Sequence, residues 1–210
     1  MKYLWEPEIT SKNSTGKKDD TVDTNKANLP LKPVFLVYAA TLLGLILFYF
    51  IPTQSTFLLK EMGIESNLLA SGGLIVSTIS AAVIALSYPR FKRVLSYAHI
   101  YALCFVLIGL GFLLVYLGTS VTGVVLAFVF AGAGSGFFMP NASLWLMQVA
   151  PEHQRGRVIG GMVSAAFAGQ FISPIVTEPV LKATSLSEIF LWGAVAALVV
   201  AGLFVLVRSK

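Results

Sequence analysis

Six stretches of mostly apolar residues are set apart by short polar segments. Each is near the length of a bilayer-crossing helix. The spans read as Pro33–Thr53, Asn67–Tyr88, His99–Leu117, Val121–Met147, Val158–Thr177 and Ser187–Val207. Crossing a hydrocarbon core takes roughly twenty helical residues, and inside it only a helix or a closed barrel satisfies the backbone. These runs are too long and too uniformly apolar for barrel strands. The pattern therefore predicts an all-α membrane protein, a bundle of six transmembrane helices over residues 33–207. Residues 1–32 break the pattern, with nearly equal acid and base among Ser, Thr, Asn and Asp. Such a segment buries too little apolar surface to offset its ordering entropy. It is expected to be a flexible tail, and residues 208–210 a short polar end.

Polarity divides the spans into two groups. The third and sixth have almost no polar side chains at their centres and are expected to face lipid. The others carry polar groups at membrane depth: Tyr38 and Thr41; Ser77, Thr78 and Ser80; Ser135, Asn141, Ser143 and Gln148; Ser164, Gln170 and Ser173. An unpartnered amide in hydrocarbon costs on the order of a few kcal/mol, so these groups should point inward, to each other or to water. Ser and Thr can bond their own backbone, whereas the amides of Asn141 and Gln170 have more bonds to satisfy. Two uses remain open for them: helix–helix hydrogen bonding, or a polar cavity that touches a solute. With Tyr38 they are the candidate solute-binding residues.

Small residues and prolines add a second signal. FAGAGSGFFMPNASLW in the fourth span places Gly132, Gly134 and Gly136 where another backbone can approach. Pro140 there frees a carbonyl and can bend the helix. GGMVSAAFAGQFISP in the fifth span aligns Gly161, Ala165 and Gly169 on one smooth face and ends in Pro174. Tight static packing explains both, and rocking helices need the same features.

Composition excludes several classes. Hydrophobic residues make up 56% and charged residues 12% of the 210, against roughly 25% charged in soluble domains. Mean hydropathy is +0.80. One cysteine, Cys104, and two histidines, His99 and His153, support neither a disulfide framework nor a metal site, and no cofactor is implied. The net charge of +5 does not signal nucleic acid, because the bases sit at helix ends. Thirteen of the fifteen Lys and Arg fall on one side, including Arg90, Lys92, Arg93, Arg155 and Arg157; Lys60 and Lys182 fall on the other. By the positive-inside rule both termini are expected in the cytoplasm, in a multi-pass protein of the inner or plasma membrane. No Asp, Glu, Lys, Arg or His lies mid-span, and Glu178 at the outer end of the fifth span comes closest. Without a nucleophile–base pair, metal set or paired acids, an enzyme is not expected. A proton-coupling residue, if used, would belong to another polypeptide.

Order and spacing resemble the carboxy-terminal half of a major facilitator superfamily transporter, most similar to the bacterial drug and sugar efflux branch. FYFIPTQSTFLLKEMGI, from Phe48 to Ile64, is similar to the seventh helix and following loop of that branch. SYPRFKRVLS occupies the place of the second, degenerate basic loop motif, keeping Arg90, Lys92 and Arg93 but lacking its Asp and Gly. GAGSGFFMPNASLW and APEHQRGRVIGG resemble the tenth helix and the loop into the eleventh, with Arg155, Gly156 and Arg157 on the Arg-Gly element. The resemblance covers about residues 33–207. It implies that spans one, two, four and five line a central cavity, with three and six at the periphery. It makes Arg90, Lys92, Arg93, Arg155, Arg157, Pro140 and Pro174 conformational or gating positions. It also implies that residues 1–32 correspond to the connection between two halves. A complete carrier of this branch would be expected to work as a proton antiporter.

Two functions follow as expectations. One is a transporter half that exports a small organic solute by alternating access, working with a separate six-helix half or a second copy. The other is an inactive truncated remnant of such a transporter gene.

Overall fold

The computed structural model of the chain describes residues 29–61, 63, 67–117 and 120–207. Most of the expected tail and the end at 208–210 lie outside the described residues. Six long helices form: α1 Leu31–Glu61, α2 Asn67–Lys92, α3 Tyr97–Leu117, α4 Val121–Val149, α5 Arg155–Ala183 and α6 Leu186–Leu206. All six are long and apolar enough to cross a membrane. A short 3-10 turn, Glu152–Gln154, precedes α5.

Most helices outrun the spans read from hydropathy. α1 starts at Leu31, inside the expected tail, and runs on to Glu61; α2 reaches Lys92 and α5 begins at Arg155. Hydropathy marks the portion at lipid depth, while a helix continues for as long as its backbone bonds remain its best option. Pro33 is tolerated near the start of α1 because N–H groups in a first turn have no helical partner. Side chains close several ends. The Ser120 hydroxyl accepts from Gly123 N–H at 3.2 Å. Ser185 and Glu188 form a reciprocal capping box on α6.

Short loops return the chain at each end. The α2–α3 and α4–α5 connections therefore share one end of the bundle, here called the basic end. Packing arranges α2, α4, α1 and α5 as a row in that order; α3 lies behind α4, and α6 lies against α3. The row is the group of helices that carries polar side chains, and the pair behind it is the apolar group.

One expectation needs correction here. α3 is packed between α4 and α6, which leaves only part of it, with Leu110 and Leu117, exposed. Eleven of its residues are buried, among them Tyr101, Phe105, Ile108 and Phe112. Aromatic contacts fill this layer: Phe105 meets Phe138 edge-on at 5.5 Å and stacks with Phe204 at 5.9 Å. Farther along, Phe50 of α1 meets Phe112 and Phe190 at 5.0 and 5.6 Å. The outer side of α6, with Trp192, Val199 and Leu203 exposed, fits the lipid-facing expectation.

The α2–α4 seam shows why small residues are needed. A Cβ on Gly132 would run into the Ser77 carbonyl, and one on Gly136 into the Ala81 carbonyl. Backbone approaches backbone at both points, as small-residue membrane interfaces allow. The Ser80 hydroxyl donates to Val129 O at 2.8 Å across the same seam. On the other side of the row, a Cβ on Gly169 would meet the Leu42 carbonyl at 2.5 Å, so α5 rides closely on α1.

Candidate solute face and basic end

The three candidate solute residues do not converge. Asn141, on α4, is 0% exposed. Its Oδ1 accepts from the Tyr88 hydroxyl at 3.1 Å, and its Nδ2 donates to Tyr97 O at 3.1 Å. Both ends of the amide are thus used to tie α2, α3 and α4 together. This is the helix-bonding use of the amide, and no face of it is left open to a solute.

Tyr38, on α1, is half-buried and donates from its hydroxyl to Val158 O at 2.7 Å, near the basic end of α5. The ring covers Gly161, where a Cβ would collide with it. Tyr38 is therefore also a tie between helices, with part of its ring exposed.

Gln170, on α5, behaves differently. It is half-buried, and its amide has no hydrogen-bond partner among the described residues. Four residues on, Pro174 has no N–H to give to the Gln170 carbonyl. Side chain and backbone at this position thus both retain unused capacity. Phe167, Phe171 and Pro174 share its face at helical spacing, and all three are exposed. This is an apolar and aromatic patch with one free amide at its edge. Gln170 lies twelve residues along α5 from Val158, about 18 Å at helical rise, so Tyr38 and Gln170 belong to different depths.

A polar residue that the hydropathy reading missed sits at the far end of the α1–α5 seam. Gln54 is 3% exposed, and its Nε2 donates to Thr177 Oγ1 at 3.2 Å. Thr177 in turn donates to Pro174 O at 3.3 Å, while Gln54 Oε1 is buried without a donor. The first span was read as ending at Thr53, one residue short. Thr53, Gln54, Ser55 and Thr56 follow Pro52 as a polar run, so hydropathy carries no signal that the helix continues there. Midway along the seam, Ser173 donates to Ile46 O at 2.8 Å. Tyr38, Ser173 and Gln54 therefore fasten α1 to α5 along their length.

The gating candidates separate into tied and free groups. Lys92 lies 3.7 Å from the Tyr97 ring centroid and donates to Leu95 O at 3.4 Å. Arg155 pairs with Glu152 at 3.6 Å. Arg90, Arg93 and Arg157 have no acidic partner among the described residues. Pro140 and Pro174 both lie inside unbroken helices. Pro140 is half-buried beside Asn141, and Pro174 is exposed on the Gln170 face.

A six-helix bundle with its polar groups gathered on one four-helix row defines a multi-pass membrane protein of the helical-bundle class. Its family is also shown by sequence: the pattern of the Major Facilitator Superfamily matches residues 1–174 and 93–210. The chain belongs to that superfamily and is a transmembrane transporter protein. No curated protein matches the sequence.

Proposed function

We propose that the chain supplies one six-helix half of an alternating-access carrier that exports a small organic solute. Its partner is a second six-helix half or a second copy of the chain. The observation that carries this reading is the unfilled polar capacity at Gln170, set among exposed Phe167, Phe171 and Pro174 on a row helix. Unequal burial supports it. In α2 and α5 only 17% and 28% of the spanning window is buried, against 56% in α3 and α4. The two ends of the row are thus the surfaces still open to another bundle. In this reading Gln170 bonds the solute, Phe167 and Phe171 stack on it, and Tyr38 flanks the path near the basic end. Asn141 holds the wall behind.

The basic end faces the cytoplasm in this proposal, with Arg90, Arg93 and Arg157 free to meet acidic groups of the partner as the path closes. The spans of this chain place no Asp, Glu, Lys, Arg or His at mid-depth, so the antiport proton would travel on the partner half. The test is solute flux in vesicles holding the chain with and without a six-helix partner. Flux that needs both, and falls on Gln170→Ala, supports the proposal. No flux in either setting supports the inactive remnant instead. Single cysteines at position 60 and position 90 should label from opposite faces, and labelling of position 90 from outside would reverse the orientation.

A further inference from the structure

The basic end carries a second feature, a groove whose rim shares Arg93 with the gating contacts proposed above. Tyr88, Pro89, Lys92 and Arg93 of α2 and its following turn, with Leu144 of α4, line an open groove of about 270 Å³. Its walls are mostly apolar and its rim is cationic. Lys92 is fixed in place by the Tyr97 ring and Leu95 O, yet an ammonium has three donors. Arg93 is exposed beside it. Among the described residues, the one acidic side chain at this end is Glu152, already paired with Arg155. Leu144 of this wall is exposed, as are Val83 and Leu86 of α2 toward membrane depth. A ligand that fits both parts has an anionic head and a hydrocarbon tail.

We propose that this groove binds one anionic phospholipid, with its phosphate at Lys92 and Arg93 and an acyl chain along Pro89 and Leu144. Basic pockets between helices near a membrane surface suit such headgroups. A free phosphate would gain nothing from Pro89 or Leu144, and an acidic peptide would leave them bare.

Trp145 gives a local readout. It stacks on Tyr97 at 5.6 Å and follows Leu144 directly in α4. In a Trp5→Phe, Trp192→Phe background it is the sole tryptophan. The measurement is quenching of Trp145 by bromine-labelled acyl chains in nanodiscs, comparing phosphatidylglycerol with phosphatidylcholine. The labelled phosphatidylglycerol should quench at a lower lipid fraction. Lys92→Gln with Arg93→Gln should shift that fraction by about 25-fold, from roughly fivefold per surface cation. Lys182→Gln, at the far end, should leave it unchanged. Arg93→Lys keeps the charge and should keep the preference, which covers the case in which the double variant does not fold. Equal quenching by both lipids, or a preference that survives the charge removal, overturns the proposal. Loss of the preference on adding inorganic phosphate also overturns it, by assigning the rim to a soluble anion.

Discussion

Replacing Asn141 and Gln170 by alanine separates two uses of a membrane-embedded amide that look alike on paper. Asn141 is fully buried and makes two bonds of 3.1 Å, one from the Tyr88 hydroxyl and one to Tyr97 O. Interhelical bonds of this kind contribute about 0.6 kcal/mol each in membranes, and up to about 1.7. Losing both therefore removes about 1–3 kcal/mol, or roughly five- to a hundred-fold in the folding equilibrium. The Tyr88 hydroxyl, in a residue 3% exposed, is also left without its acceptor. Gln170 has no such partners, so Gln170→Ala should stay within about 0.5 kcal/mol of the parent. The assay is unfolding by titration of a denaturing detergent into mixed micelles, followed by far-ultraviolet circular dichroism. A double-mutant cycle with Tyr88→Phe isolates the Tyr88–Asn141 bond, and the two changes should fall short of additivity. In the transport assay the order reverses: Gln170→Ala lowers flux in the folded protein, while Asn141→Ala acts through the folded fraction. If Asn141→Ala unfolds like the parent while abolishing flux, the packing assignment is wrong and Asn141 faces the solute.

Gly132→Ala should destabilise by about 1–3 kcal/mol, because the added methyl meets the Ser77 carbonyl and backbone cannot step aside as a side chain can; an unchanged unfolding midpoint would show that α2 and α4 can part freely. Gln54→Leu should be neutral or stabilising, since it removes a buried acceptor that has no donor while Thr177 keeps its bond to Pro174 O; strong destabilisation would reveal a donor to Gln54 Oε1. Tyr38→Phe should cost about 0.6 kcal/mol by losing the bond to Val158 O, read in the same detergent titration. Cys104 is fully buried, so its thiol should resist maleimide until the bundle is unfolded; rapid labelling of the folded chain would place α3 at an accessible surface.

How far the sequence could be read follows from which physical demands leave a mark along the chain. Lipid demands long apolar helices, and all six were legible for that reason. It places little demand on what an apolar residue touches, because a leucine is equally at home against lipid or against another helix. The third span shows this: Phe105 and Phe112 sit on a run that looks lipid-facing all round, yet α4, α6 and Phe50 of α1 cover them while Leu110 and Leu117 stay exposed. Polar residues carry more information, since each must find a partner. Gathering them identified the row α2–α4–α1–α5, but not which of them were already satisfied. Asn141 finds Tyr88 fifty-three positions away, a pairing that no local pattern records. Gln170 finds nothing, and Pro174 frees its carbonyl as well. The basic loop divides in the same way once Lys92 is seen to be held by Tyr97 and Leu95 while Arg93 is left open. Residues satisfied inside the bundle account for its fold. Those left with unused bonds, Gln170 on the row and Arg90, Arg93 and Arg157 at the basic end, are where a solute, a lipid or a second bundle has something to gain by binding.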